Sequence, residues 1–406
     1  MTTVPPLATM LVRDRLTLTL YGFFVTWGWF LYGFGPAVPL IASEQGITRA
    51  QAGLHGTAMA VGTVASAFLA PMLAIRFGRR ATALAGGGVV VLGVALLMLG
   101  TTLPITLTAA LVAAVGGNLM LSAAQPALSV HHGPAGPAAL TEANAAGATV
   151  GLLAPLAVGL TVALGWGWRP AVGVVMLLAV AAALALLVLP RAPSLGKGQA
   201  TVRVPGAVGR AQRRFGPVFW LFLTALVCGV AVEFATTFWA ADLVRDRTGA
   251  GDGLATAAVS ALVAGMAASR FVVGPMSLRR APEKLLLVGF VAAGGGWLVL
   301  WLATSPWVAI LGLVLAGLGY GTHYPLALSL ALRVAAARPD QGQARVAVGA
   351  GLAVALAPFV LGALADQVGS HRAFLLVPVL LAAGGVATAL AHRRVRAAVA
   401  ASRAAD

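Results

Sequence analysis

Long apolar stretches separated by short, arginine-rich breaks set the pattern of this chain. Crossing a hydrocarbon core about 30 Å thick takes roughly 20 apolar residues in a helix. Twelve stretches reach that length: 17–42, 51–75, 82–101, 104–127, 139–163, 171–190, 217–241, 253–276, 285–304, 307–332, 343–365 and 374–392. Several contain Pro or Gly, which membrane helices tolerate better than soluble ones. The longest break, 191–215, is basic and rich in Gly and Pro, and it falls near the middle of the chain. It predicts a linker between a six-helix bundle over 1–190 and another over 216–394, with 395–406 as a tail. The first stretch is too long for a signal-peptide core and reads as a retained span. The expectation is an all-α membrane protein of about twelve transmembrane helices in two pseudo-symmetric six-helix bundles.

Composition strengthens this reading. The chain is 60% hydrophobic and 9% charged, with a mean hydropathy of +0.93, whereas soluble domains carry about a quarter charged residues. Its 50 glycines suit close helix packing in lipid. A lone cysteine, Cys228, excludes an internal disulfide. The net charge of +16 is spread over the breaks between spans and forms no basic domain, so it speaks for topology and against nucleic acid. With twelve spans, 21 of the 27 Lys and Arg fall on the side of the termini and linker. Five fall on the other side and Arg270 lies within a span. That bias predicts cytoplasmic termini in a multi-pass protein of the cytoplasmic membrane.

The two halves repeat. Ala154-Pro155 and Gly159 recur as Ala357-Pro358 and Gly362 at an offset of 203, which also places Arg169 on Arg372 and Glu142 on Arg345. Gln125-Pro126 and Ser129 echo Tyr324-Pro325 and Ser329. Pro71-Met72 followed by Arg79-Arg80 echoes Pro275-Met276 followed by Arg279-Arg280. Parallel halves of this kind place a solute path at their interface.

The loop after the second span, Leu73-Ala74-Ile75-Arg76-Phe77-Gly78-Arg79-Arg80, resembles the signature G-x-L-x-D-R-x-G-R-R of the major facilitator superfamily. It departs from that signature at Pro71, where the first Gly is usual, and at Ile75, where the acid is usual. Gly151 to Gly159, with Pro155 at its centre, resembles the Gly/Pro element of span 5 in antiporters, Ala154 replacing a glycine. The resemblance implies a central cavity built from spans 1, 4, 7 and 10. The candidates there are Tyr32, Asn118, Gln125, Glu233, Thr237, Tyr320, His323 and Tyr324. It also implies a cytoplasmic gate around Arg76, Gly78, Arg79, Arg80 and Arg345. Because Ile75 cannot pair with Arg345, a latch from Glu142 to Arg279 or Arg280 is the alternative, beside a purely topological role for these charges.

Charges inside a bilayer cost at least about 2.5–3.5 kcal/mol on insertion scales, so Glu233 is the first functional candidate, as a proton carrier or a direct ligand. Arg270 either binds an anionic solute or supports packing near the end of span 8, and packing is the preferred reading. His323 is a second proton-coupling candidate because polar and aromatic groups surround it in sequence. Tyr21, Trp27, Trp29 and Tyr32 divide between solute stacking and interfacial anchoring.

No phosphate-cradling loop, metal-ligand cluster or catalytic constellation is present in the sequence. No enzyme activity, cofactor or metal is expected, and a sensor would more often carry a soluble signalling domain. The expected function is proton-coupled transport of a small organic solute by a functional monomer. Efflux by antiport is the alternative.

Overall fold

The computed structural model describes residues 11–197, 215–276, 280–335 and 339–405. Among them twelve helices are long and apolar enough to cross a membrane. They are α1 (Arg15–Gln45), α2 (Arg49–Phe77), α3 (Arg79–Leu99), α4 (Leu103–His132), α5 (Ala139–Ala163), α6 (Arg169–Val188), α7 (Pro217–Thr248), α8 (Asp252–Val273), α9 (Pro282–Leu302), α10 (Pro306–Val334), α11 (Arg345–Val368) and α12 (Ser370–Ala397). No strand occurs among the described residues. Most of the predicted linker lies outside them.

Local chemistry sets the helix ends. Asp14 caps α1 by accepting from the Thr17 amide at 2.8 Å, and Gly46 ends that helix in the left-handed conformation, φ 62°. Thr48 and Gln51 form a reciprocal capping box on α2. Proline opens α7, α9 and α10, where its missing amide costs nothing. Several helices outrun their apolar stretches. Helix α4 continues to His132, and α7 continues to Thr248 through Asp242, Arg245 and Asp246. Hydropathy marks where lipid ends; backbone hydrogen bonding carries a helix on into the polar layer. The extension puts Glu233 at the midpoint of α7.

The helices form two six-helix bundles, α1–α6 and α7–α12, whose packing repeats residue by residue. A methyl group at Gly62 would strike the Leu111 carbonyl, and one at Gly265 the Val314 carbonyl. Likewise Gly93 abuts Ala113, and Gly296 abuts Ala316. Each residue in one half lies 203 positions from its counterpart in the other. Close backbone approach of this kind is how membrane helices gain van der Waals contact without a hydrophobic driving force.

The halves meet along two seams, α2 against α11 and α5 against α8. Thr57 of α2 donates to the Ala355 carbonyl of α11 at 2.6 Å. Ser260 of α8 donates to the Leu152 carbonyl of α5 at 3.1 Å. Donors and acceptors again correspond at an offset of 203. Both clasps lie in the part of the molecule away from the linker, here called the distal side. Toward the linker face, Phe68, Met72 and Phe77 of α2 and Val348 and Leu352 of α11 are exposed.

Candidate functional site

Below the distal clasps, α1, α7, α8 and α10 bring ionisable groups near one another, with Glu233 at the middle of α7 and Arg270 near the end of α8. Glu233 of α7 is half-buried. Among the described residues its carboxylate has no hydrogen bond and no ion pair within 4.0 Å. Arg270 of α8 faces it across a longer gap, close enough for the charges to interact. Arg270 also lies close to Tyr32 on α1, so the two halves approach each other here. Arg270 itself is exposed. Tyr320 and Tyr324 of α10 lie within the field of Glu233. Tyr320 is fixed by a 3.2 Å hydrogen bond with Thr236, while Tyr324 is 37% exposed.

The other cavity candidates sit elsewhere or are already engaged. Thr237 donates to the Glu233 carbonyl at 2.8 Å, which occupies its hydroxyl within α7. Asn118 donates to Thr63 of α2 at 3.0 Å and to the Ala114 carbonyl, so it ties α4 to α2. Gln125 is exposed. His323 is buried inside the second half, stacked on Phe290 at 4.1 Å. Gly229 lies against its Cβ, and neither ring nitrogen has a well-directed partner. Trp27 stacks on Phe30 at 5.5 Å, Trp29 donates to the Ala171 carbonyl, and Tyr21 is buried.

On the distal side a charge network spans the halves. Arg49, at the first turn of α2, donates to the buried carboxylate of Asp242 at 2.6 Å and lies 3.9 Å from Asp246. Asp242 also receives Arg245 and, at 3.2 Å, Ser370 of α12. Arg245 continues to Asp252 at 3.1 Å. The Asp366 carboxylate of α11 accepts the Arg49 and Ala50 amides at 2.9 and 2.7 Å. A carboxylate from one half thus satisfies the helix N-terminus of the other, where partial positive charge gathers.

Sequence reasoning missed this network because it counted Lys and Arg for topology and set the acids aside. The legible signal is that Asp242, Asp246 and Asp366 end their spans on the same face as Arg49.

On the linker face, charges pair within a half. Arg13 and Glu142 make two contacts, at 2.6 and 2.9 Å, and that carboxylate holds the Arg13 guanidinium above its ordinary pKa. Asp14 receives Thr17 and, at 2.7 Å, His131. Burial raises the Asp14 pKa, but these hydrogen bonds outweigh it and hold the carboxyl below its ordinary range. Arg80 donates to carbonyls at the end of α6, including Leu186 at 2.7 Å, and Arg79 to Ser194 at 3.0 Å. Gly78 adopts φ 91° at the α2–α3 junction, a region that disfavours a side chain. Arg76 lies over Phe77, and Arg345 over Phe215 and Trp220. Arg280 is exposed, and Arg279 lies outside the described residues. Glu142 is therefore held by Arg13 in this conformation.

An apolar crevice of about 460 Å³ lies between α9 and α12, lined by Phe290, Trp297, Pro378 and Leu381 among others. With no polar group to orient a solute, it does not compete with the central cluster. No group of three or more potential metal ligands occurs among the described residues.

Known proteins place this architecture. The family model of the Major Facilitator Superfamily matches residues 18–344 and 253–405. A search of curated proteins finds no match. Among solved structures, the fold is similar to a D-xylose-proton symporter, with TM-score 0.76, 15% identity, and coverage of 93% of this chain and 96% of that one. It is similar to a bacterial homologue of the human lysosomal transporter Spinster in an inward-facing, unoccupied conformation, with TM-score 0.74, 16% identity, and coverage of 93% and 96%. FucP, a superfamily transporter in the outward conformation, matches with TM-score 0.57, 17% identity, and coverage of 93% and 99%. The twelve-helix fold and the family match along the chain make this protein a member of the major facilitator superfamily.

Proposed function

We propose that the protein is a proton-coupled secondary transporter of a small organic solute, working as a monomer by alternating access in the cytoplasmic membrane. The observation that carries this reading is Glu233, an acid at mid-span without a hydrogen-bond or ion-pair partner among the described residues. Intramembrane acids of this kind are the usual proton relays of transporters, and desolvation brings a carboxyl toward the range where it exchanges protons. The symporter named above couples D-xylose to protons, which supports the same coupling here. The 21-to-5 distribution of Lys and Arg supports cytoplasmic termini, which would put the linker face on the cytoplasmic side.

The test is a screen of labelled solutes in proteoliposomes under an imposed pH gradient, comparing wild type with Glu233→Gln. Gradient-driven accumulation of the transported solute falls at least tenfold in the variant. Accumulation unchanged by Glu233→Gln sinks the coupling role.

A further inference from the structure

The apolar crevice of about 460 Å³ between α9 and α12 has no part in solute transport as proposed above. Its walls are stripes at helical spacing, Leu287, Val291 and Gly294 on α9 and Ala382, Gly385 and Ala389 on α12. A methyl group at Gly384 would strike the Phe290 ring, so the two helices touch behind the crevice, whereas one at Gly294 would meet nothing within 4 Å. From Leu287 to Leu298 the crevice follows about 16 Å of helix. Toward its distal end Trp297 donates to the Phe374 carbonyl at 3.0 Å, and Trp301 stacks on His371.

Continued toward the linker face, both stripes turn basic. Lys284 lies three residues before Leu287, Arg393 four after Ala389, and Arg396 three further on. At those spacings each shares the crevice's face of its helix, and all three are exposed. The neighbouring acid, Glu283, is buried and held by Arg333, so it does not neutralise them. Near the distal end the basic group is Arg372. The charge therefore gathers at the linker end.

The shape and the charge select among occupants. A helix of a second copy is about 10–12 Å across with its side chains, too wide for a groove between two helices in contact. A polar solute finds no polar group to orient it. An acyl chain needs only a narrow apolar slot, and about 16 Å is close to half of a hydrocarbon core about 30 Å thick. A negative headgroup on that chain meets the three basic residues.

We propose that the crevice seats one acyl chain of an anionic phospholipid, with its phosphate at Lys284, Arg393 and Arg396. With the linker face read as cytoplasmic, this lipid comes from the cytoplasmic leaflet, the anionic one. Each basic group near a membrane surface strengthens the hold on anionic lipid about fivefold, and the crevice fixes the lipid's position.

The experiment reads tryptophan fluorescence, because Trp297 lines the crevice and bromine on an acyl chain quenches indole on contact. The full chain is reconstituted in phosphatidylcholine vesicles that contain a minority of phosphatidylglycerol. One preparation carries brominated chains on the phosphatidylglycerol, the other on an equal amount of phosphatidylcholine. Brominated phosphatidylglycerol is expected to quench at least about threefold more, and Trp297→Phe removes that excess. Combining Lys284→Gln, Arg393→Gln and Arg396→Gln abolishes it, while Lys284→Arg with Arg393→Lys and Arg396→Lys keeps it. Gly294→Leu, which fills the crevice and leaves the basic residues in place, also abolishes it.

Equal quenching in the two preparations overturns the proposal, as does an excess that survives neutralisation of the three basic residues. An excess that survives Gly294→Leu overturns it too, since it would mark general attraction of anionic lipid to a basic protein. Trp297 quenched by neither lipid, as a second copy covering the crevice would make it, is equally contrary. Neither Glu233 nor transport enters the readout, so each of these outcomes leaves the proposed function standing.

Discussion

The two faces of the molecule use their charges in opposite ways. On the distal face Arg49, Asp242 and Asp366 tie one half to the other. On the linker face Arg13–Glu142, and the arginines of the α2–α3 loop, bond within their own half. The printed bonds between the halves are thus gathered on the distal side, where Arg49 and Asp366 engage the opposite half. The lesson is that a charged loop does not make a gate; a charge that changes partners between halves does. Conversion to the opposite state has to break the distal bonds and form new ones at the linker face.

Breaking the distal lock gives the largest effect. Arg49→Ala removes the cross-half partner of a buried carboxylate, and losing one side of a buried pair costs about 3–5 kcal/mol where no substitute exists. Arg245 and Ser370 remain on Asp242, so the shift is smaller, at least about 1.4 kcal/mol or tenfold in population. A cysteine at buried Ala241, with Cys228 replaced by Ser, should then react with maleimide at least tenfold faster.

Asp366→Asn keeps an acceptor but loses the charge at the α2 N-terminus, a change of about 0.3–1 kcal/mol. Ala241 labelling should rise two- to fivefold.

The hydroxyl clasps sharpen the symmetry within the seam. Interhelical hydrogen bonds in membranes average about 0.6 kcal/mol, so Thr57→Val and Ser260→Ala should each raise labelling about threefold, and by equal amounts. Unequal effects would mean that the α2–α11 and α5–α8 seams open separately.

The smallest effect belongs to the linker face. Glu142→Gln breaks an exposed pair inside one half and should leave Ala241 labelling unchanged. A rise matching that of Asp366→Asn would erase the distinction between the faces.

Much of the architecture was legible. Twelve spans follow from apolar length, and the repeat at offset 203 reappears in the glycine contacts and in the Thr57 and Ser260 clasps. Glu233 stood out because an acid inside a bilayer is rare. The surroundings of that acid were not legible, because helix faces are set by packing: Asn118 turns to α2, His323 turns into its own bundle, and Arg270 comes near Glu233 from α8. Asp366 was hidden for a different reason. Its role is to cap a helix 317 positions away in sequence, and no local pattern marks such a contact. Helix length misled as well, since the polar extension of α7 that carries Asp242 looked like loop.

The most direct test of the two-faced account is a pair of distances read by electron–electron spin resonance in nanodiscs. One label pair, at Ser43 and Gln367, spans the distal face; the other, at Phe77 and Val348, spans the linker face. In Arg49→Ala the account predicts that the distal distance lengthens while the linker-face distance shortens within the same population. Distances that stay at their wild-type values, or that move in the same direction, contradict it.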